Sequence, residues 1–236
     1  MNLRPSWHKY SWLASFASQC GNYEKNTVAT AKMAIESRRY MSAFAQSAGV
    51  EFDREDKGIL HIYKSEADFA HAHKVTEMLA KAGLMRRKLS PHDVYDIEPA
   101  LQAKVLGGYY TDSDFTGDIH KFANGLAEAA QRAGVNFAMN TQITDIQHGG
   151  DQPQLFWQNL DGEAGEGSFD GVVITAGVMS RKLASALGDN VNVYPVKGYS
   201  ITVDLKDATS QKVAPTVSLL DDAAKIVTAR LGAERF

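Results

Sequence analysis

The sequence predicts a mixed α/β protein, because segments with helical spacing of apolar residues alternate with short apolar strands. The longest predicted helix covers 23–47, where apolar residues recur every three or four positions until Gly49. The segment 170–177 predicts a buried strand, since it is apolar on both faces and ends in small residues. The chain shows no internal repeat. These observations favour an α/β or α+β architecture.

Composition excludes several classes of protein. The 236 residues are 44% hydrophobic and 22% charged, with a net charge of -3, as expected of a folded globular chain. Lys and Arg are scattered, so we expect no nucleic acid as a partner. The single cysteine, Cys20, cannot form an intrachain disulfide, and no apolar stretch reaches the roughly 20 residues of a membrane span. We therefore expect a cytoplasmic protein.

The remaining elements are predicted from periodicity and from capping residues. The first 20 residues are rich in aromatics but lack alternation, so we expect an irregular segment. A helix is expected from Ser65, an N-cap residue, to Gly83, and a short capped helix within 89–99. The other predicted helices are 119–133 and 179–187, and the predicted strands are 50–54, 59–63, 107–111, 135–139, 143–147, 194–203, 216–219 and 225–230, with a polar hairpin region at 149–168.

Histidines and acidic residues offer only a weak case for a metal or substrate site. His71 and His73 are two apart on a predicted helix and point to different faces, so we expect no metal. Asp112, Asp114 and Asp118 form an acidic loop. We interpret this loop as a turn that caps the next helix, in preference to a site for a substrate ammonium group.

Several motifs resemble one family of flavoenzymes. The stretch from Gly107-Gly108-Tyr109 to Thr116-Gly117-Asp118, the strand Ile174-Thr175-Ala176-Gly177 and the string Tyr194-Pro195-Val196-Lys197-Gly198-Tyr199-Ser200 are similar to bacterial D-amino-acid dehydrogenases. Those enzymes belong to the D-amino-acid oxidase and glycine oxidase superfamily. The resemblance extends over nearly the whole chain, and 194–200 is its most distinctive part.

The resemblance implies a partial Rossmann-like FAD domain interleaved with a mixed-sheet substrate-binding domain. On this interpretation 1–106 is a helical portion of the substrate domain, 107–190 is the middle of the FAD domain, and 191–236 is a truncated substrate-domain sheet. The implied activity is oxidative deamination of a D-amino acid to a 2-oxo acid and ammonia. Electrons then pass from FAD to a quinone or another acceptor.

The resemblance also assigns residues to the cofactor and the substrate. It implies that the backbone of Ile143 contacts the adenine and that Thr175, Ala176 and Gly177 line the cofactor. Lys197 and Tyr199 are candidates for substrate binding. The alternatives are that Lys197 is a solvated lysine of an edge strand and that Tyr199 packs within the sheet. Ala224 stands where related enzymes often carry an aromatic residue, so that substrate contact is in doubt.

The sequence departs from the family pattern in its phosphate-binding loop. No G-x-G-x-x-G motif is present, because Gly165-Glu166-Gly167 is followed by Asp170 at the third glycine position. We therefore expect an internal fragment that is inactive alone and retains FAD poorly, unless a complementing polypeptide supplies the rest. Two alternatives stay open: a non-catalytic interaction module, and a glycine or sarcosine-type amine oxidase. The resemblance also allows a peripheral position on the inner membrane, where the family reaches quinones.

Overall fold

A computed structural model describes residues 6–236 and shows the mixed α/β class that the sequence predicts. Two 3₁₀ turns, Cys20–Asn22 and Gly177–Met179, accompany the helices. No helix in the described range is both long enough and apolar enough to cross a bilayer. The helices are α1 (Trp7–Ser18), α2 (Tyr23–Ala48), α3 (Glu66–Lys81), α4 (Pro91–Ile97), α5 (Ile119–Arg132), α6 (Ser180–Ala186) and α7 (Ala208–Val213).

The strands form two separate sheets. The five-stranded sheet has the order β2-β3-β1-β7-β8, and the three-stranded sheet has the order β4-β5-β6. The strands are β1 (Ile59–Tyr63), β2 (Arg87–Leu89), β3 (Gly107–Thr111), β4 (Thr141–Gly149), β5 (Gln152–Asn159), β6 (Ala164–Ser168), β7 (Ser218–Asp221) and β8 (Ile226–Thr228).

The chain divides into two compact units that are interleaved in sequence. Unit 1 contains Met1–Gly21 and Asn136–Tyr199, and unit 2 contains Asn22–Val135 and Ser200–Phe236. Unit 1 carries the three-stranded sheet, and unit 2 carries the five-stranded sheet, including β3. The assignment of 1–106, 107–190 and 191–236 to functional domains stays a prediction.

Strand β1 is the centre of unit 2. It pairs antiparallel with β3 on one side and parallel with β7 on the other. Alternate side chains point to opposite faces of a strand. Leu60 and Ile62 therefore join the main core with Val94 of α4, whereas Tyr63 joins a second cluster with Ala72 of α3. The sheet is covered on both faces, which explains why β1 is almost wholly apolar.

Local sequence signals set the helix ends in unit 2. Ser65 accepts a hydrogen bond from the backbone of Asp68 and starts α3. Ser90 and Asp93 form a reciprocal capping box at α4, with Pro91 in the first turn. Helix α2 ends at Gly49, whose φ of 65° is in the left-handed region that favours glycine. The predicted helices at these positions are confirmed.

Unit 1 is built on an antiparallel meander. Strand β5 pairs with both β4 and β6, and the β4 register shifts between Ile143 and Asp145. The pair Trp157–Gly165 explains the glycine of β6, because a Cβ on Gly165 would lie 2.6 Å from the indole Nε1. The predicted hairpin region at 149–168 thus becomes two full strands.

Other predictions of local structure are wrong, for identifiable reasons. The aromatic N-terminal segment is helical over Trp7–Ser18, because the Ser6 side chain caps the helix by accepting from the amide of Lys9; residues 1–5 lie outside the described range. The predicted strand 50–54 fails at Asp53, whose φ of 52° interrupts an extended chain. In the expected strand 135–139, the amide of Val135 instead donates to Ala130 at the end of α5.

Two further predicted strands have no ladder in the described residues. They are 170–177 and 194–203. Within the second, Val203 alone makes paired backbone hydrogen bonds, with Phe236. A strand needs a partner to satisfy its amides and carbonyls. Both segments have the apolar pattern of a strand, but no described strand pairs with either of them. These two predictions of strands are therefore wrong.

Candidate functional site

The small residues expected at the cofactor lie on an open turn of unit 1. Thr175, Ala176 and Gly177 are all exposed, and they lead through the 3₁₀ turn into α6. Gly177 has a φ of +56°, and a Cβ placed on it would meet no atom within 4 Å. Ala176 closes the turn by accepting from the amide of Met179. The turn leaves backbone accessible for a ligand.

Ile143 lies in the same unit, on β4. It is half-buried opposite Trp157, at the irregularity in the β4 register. Among the described strands, β4 pairs with β5 alone, so part of its backbone faces away from the ladder. Helix α6, which follows Gly177, contacts β4. The structure thus places Ile143 and the turn at 175–177 within one compact unit.

The residues present fit only one end of FAD. The exposed small residues at 175–177 leave room for an adenosine group to approach the backbone. Gly165 and Gly167 offer the pyrophosphate no comparable cradle, because they belong to a strand under the Trp157 ring and not to a loop before a helix. We derive no catalytic step through the flavin from these residues.

The two candidate substrate residues lie together on an exposed segment. The Lys197 ammonium is 5.2 Å from the centre of the Tyr199 ring, which is a cation–π distance. Tyr199 is 88% exposed, and Lys197 is also exposed. Packing of Tyr199 within a sheet, one alternative from the sequence, does not occur in the described chain.

Unit 2 contains a polar cluster that was not predicted from the sequence. Oδ2 of Asp222 lies 2.9 Å from the Tyr63 hydroxyl and 3.3 Å from Nδ1 of His61. Alternation along the strand Gly-Ile-Leu-His-Ile-Tyr puts His61 and Tyr63 on one face, so the sequence was sufficient to predict that these two side chains are neighbours. Their meeting with Asp222 depends on the parallel pairing of β1 and β7.

The electrostatics of this cluster follow from burial and from Arg86. Burial raises the pKa of Tyr63 to about 12, although the nearby positive charge of Arg86 opposes the shift. Burial and the Arg86 charge also lower the pKa of His61, despite the neighbouring Asp222. Burial works against the ionised form of Asp222, but hydrogen bonds from Tyr63 and His61 outweigh it and lower its pKa. The cluster therefore favours neutral His61 beside an ionised Asp222.

The acidic loop plays the structural role that we expected. Asp118 is 4% exposed and caps α5 by accepting from the amides of His120 and Lys121. The Arg235 guanidinium binds the same carboxylate, 2.5 Å away, and holds the pKa of Asp118 below its usual range. Asp114 pairs with Arg38. The carboxylates of Asp114 and Asp118 are thus already paired with arginines, which disfavours the binding of a substrate ammonium group to them.

One exposed group has the spacing of metal ligands. His92, Asp93 and Asp96 bring ligand atoms within 4.8 Å of one another on α4. Asp93 already accepts from the amide and the hydroxyl of Ser90 in the capping box. Exposed acidic groups of this kind form readily on one face of a helix.

The interleaved units and the open turn at 175–177 are the features expected of part of a flavin-dependent oxidoreductase. A family model described as "FAD dependent oxidoreductase" matches residues 4–235. The chain therefore belongs to this DAO family of FAD dependent oxidoreductases.

Two curated relatives carry more specific names. "D-amino acid dehydrogenase 3" of Mesorhizobium japonicum is 47% identical over 235 residues, which is 100% of this chain and 57% of that protein. "D-amino acid dehydrogenase" of Paramagnetospirillum magneticum is 35% identical over 228 residues, with 94% of this chain and 52% of that protein covered. The chain thus spans little more than half the length of these relatives.

Solved structures share the fold. Glycine oxidase from Geobacillus kaustophilus aligns with a TM-score of 0.74 at 22% identity, covering 86% of this chain and 53% of that one. Glycine oxidase from Bacillus cereus aligns with a TM-score of 0.70 at 19% identity, covering 89% and 55%. The likeness at these identities concerns the fold alone.

Proposed function

We propose that the protein to which this chain belongs oxidises D-amino acids in an FAD-dependent reaction. A D-amino acid and water yield a 2-oxo acid and ammonia, and two electrons pass to a quinone or another acceptor. The observation that carries the proposal is 47% identity to a D-amino acid dehydrogenase across the whole chain. FAD supplies the redox chemistry of such a reaction, whereas the protein binds and orients the substrate.

Within this function, unit 1 holds the adenosine side of the cofactor. The backbone of Ile143 contacts the adenine, and Thr175, Ala176 and Gly177 form the surface beneath the nucleotide. Open space above Gly177 supports this role. Lys197 and Tyr199 contact the substrate, with the ammonium of Lys197 attracting its carboxylate; their exposure and mutual stacking are compatible with this role.

We propose further that a complementing polypeptide completes the flavin site and that this chain is inactive without it. Val173, Val196 and Ile201 are 85%, 85% and 88% exposed, in the two apolar segments that lack a ladder. Strand addition by another segment would bury these side chains and satisfy the adjacent backbone.

A peripheral position on a membrane is favoured by the exposed apolar and aromatic side chains of α1. Trp7, Tyr10, Leu13 and Phe16 recur every three residues and are 86%, 53%, 36% and 63% exposed. Residues 1–22 contain no Asp or Glu. Aromatic residues on a helix without acidic groups suit the interface of a bilayer that contains anionic lipids. Such a position would bring the site near a quinone acceptor.

Complementation provides the test of the proposed activity. We would express the chain with a second polypeptide that carries the parts of the Mesorhizobium relative outside the matched region. The purified pair is expected to be yellow and to reduce an artificial electron acceptor when D-alanine is added. The chain alone is expected to remain colourless in excess FAD after gel filtration.

The controls separate the alternative functions. Turnover of glycine or sarcosine without turnover of any D-amino acid would assign an amine oxidase of the glycine oxidase type. A pair that assembles but never binds flavin would instead indicate an interaction module. Thr175→Trp is expected to reduce flavin retention by the pair, whereas Val213→Trp, at an exposed position on α7, is expected to leave it unchanged.

A further inference from the structure

A cavity of about 410 Å³ lies in unit 1, between α1 and the chain around α6. Trp7, Ser11 and Ser15 line it from α1, because residues four apart lie on the same face of a helix. The rest of the lining comes from His8, from Arg181 at the start of α6, and from Asn190 and Asn192 after that helix. The cavity therefore joins two distant parts of the sequence within one compact unit.

Aromatic contacts hold α1 beside the chain that follows α6. The centre of the Tyr194 ring lies 5.3 Å from the ring centres of both His8 and Trp12. Trp7, in contrast, is 86% exposed although it lines the cavity. The Trp7 indole therefore borders the opening of the cavity, next to the other exposed aromatic side chains of α1.

The polar side chains of this cavity are available to a ligand. Arg181 carries the one permanent charge in the described lining, which contains no Asp or Glu. Its guanidinium forms no ion pair with a described residue. The side-chain amides of Asn190 and Asn192 and the hydroxyl of Ser15 also have no hydrogen-bond partner among the described residues. All four residues are exposed, so a ligand can reach them from solvent.

Charged residues beside the cavity leave its positive charge in place. Lys182 follows Arg181, Asp189 precedes Asn190, and both of these neighbours are exposed and outside the lining. Their opposite charges cancel. Residues 1–22 contain no Asp or Glu that could neutralise Arg181 from the side of α1. One guanidinium without a carboxylate partner suits a ligand with a single negative charge shared between two oxygens.

We propose that this cavity binds the headgroup of an anionic phospholipid, whose phosphodiester carries one negative charge. Arg181 pairs with the phosphodiester, and the amides of Asn190 and Asn192 bind hydroxyl groups of the headgroup. The volume is within the range of ligand pockets. Tryptophan favours the headgroup level of a bilayer, so Trp7 at the opening favours a lipid over a soluble anion. This inference rests on the proposed peripheral position at a membrane and adds the class of lipid recognised there.

Flotation of the purified chain with vesicles tests the peripheral position and the lipid class separately. We expect tighter binding to vesicles of phosphatidylcholine with phosphatidylglycerol than to vesicles of phosphatidylcholine alone. Equal binding to the two kinds of vesicle would overturn the lipid site but not the peripheral position. Absence of binding to both would overturn the two proposals together. Flavin takes no part in this measurement, so its result is independent of the proposed oxidase activity.

Variants distinguish the cavity from general attraction to a charged surface. Arg181→Gln is expected to weaken binding to phosphatidylglycerol vesicles about tenfold or more, because it removes a charge-assisted contact. Lys182→Gln removes the same charge outside the cavity and is expected to weaken binding by no more than about fivefold. Asn192→Ala changes no charge and is expected to weaken binding about threefold. Asn136→Ala, at an exposed position elsewhere in unit 1, is its control and is expected to have no effect.

Two outcomes of these measurements would contradict the lipid site. The first is an equal loss of binding in Arg181→Gln and Lys182→Gln; if Arg181→Gln does not fold by circular dichroism, wild-type binding by Asn192→Ala is decisive instead. The second concerns glycerophosphoglycerol, the soluble headgroup without acyl chains, which is expected to bind at least about a hundredfold more weakly than the vesicles because it buries no acyl chain. Equal affinity for this compound would assign a soluble phosphodiester as the ligand.

Discussion

The Tyr63 hydroxyl donates a 2.9 Å hydrogen bond to Oδ2 of Asp222 and thereby joins β1 to the turn that follows β7. These residues are 159 positions apart in the chain. Burial raises the pKa of Tyr63 to about 12, so the hydroxyl remains a donor at neutral pH. The carboxylate also faces His61, and the two contacts hold the hairpin of β7 and β8 against the centre of the sheet.

Removing this hydroxyl tests its contribution to stability. Tyr63→Phe is expected to lower the free energy of unfolding by about 1 to 3 kcal/mol, because Asp222 loses a partly buried donor. Urea denaturation followed by circular dichroism measures the change. Tyr40→Phe, at a 52% exposed position on α2, is the control and is expected to change little. Equal stability of the two variants would refute the role assigned to the bond.

The titration of His61 provides a test with a definite sign. Burial and Arg86 lower its pKa from 6.5, so the folded protein binds a proton less readily than the unfolded chain does. Stability is therefore expected to fall as the pH drops from about 6.5 through the folded pKa. Arg86→Gln should raise the pKa of His61, and Asp222→Asn should lower it. Imidazole carbon-bound proton signals in NMR follow both shifts, and opposite movements would contradict this electrostatic account.

Glu98 is a buried carboxylate that accepts several hydrogen bonds from the backbone. It is 1% exposed and accepts from the amides of Ala100, Thr216 and Val217. Glu98→Ala is expected to cost roughly 3 kcal/mol or more, since each unsatisfied buried amide costs about 1–3 kcal/mol.

Glu98→Gln provides the comparison, because it keeps one acceptor oxygen and the shape of the side chain. Its loss of stability is expected to be smaller than that of Glu98→Ala. Thermal or urea unfolding of both variants measures the difference. A similar loss of stability in both variants would contradict this account, because it would show that the hydrogen bonds from the backbone amides do not stabilise the fold.

The glycine in β6 is predicted to be required by packing. Gly165→Ala would place a Cβ 2.6 Å from the Trp157 indole nitrogen, so the ring must shift. We expect a loss of about 1–3 kcal/mol, the usual cost of overpacking. Gly171→Ala is the matched control, because its Cβ meets nothing within 4 Å. The fluorescence of Trp157 during unfolding distinguishes the two variants, and unchanged stability of Gly165→Ala would disprove the packing role.

The helices were the most predictable part of the fold. Ser65, Gly49 and the box of Ser90 with Asp93 act within one turn of chain, so their signals are complete in the local sequence. Helix α1 was not predicted, although Ser6 is an N-cap residue directly before it and provides a local signal for its start. Strands at 170–177 and 194–203 were wrongly predicted, since an apolar pattern does not reveal whether a partner strand is present.

The candidate functional residues also include some that were predicted from the sequence and some that only the structure shows. Ile143, Thr175, Ala176 and Gly177 were named from a family resemblance, and their roles at the cofactor remain predictions that the complementation experiment tests. The cavity beside Arg181 was not predicted from the sequence. It brings α1 together with α6 and the chain that follows α6, which are remote from α1 in sequence.

The sequence by itself determined the mixed α/β class, most of the helices and the family, because periodicity, caps and motifs are carried by neighbouring residues. Only the tertiary structure decided that Tyr63, His61 and Asp222 meet and that two buried donors of Arg86 have no acceptor among the described residues. The physical reason is that β1 and β7 pair in parallel through hydrogen bonds between backbone groups about 160 residues apart. Such pairing depends on register and burial in the folded chain, which local patterns do not specify.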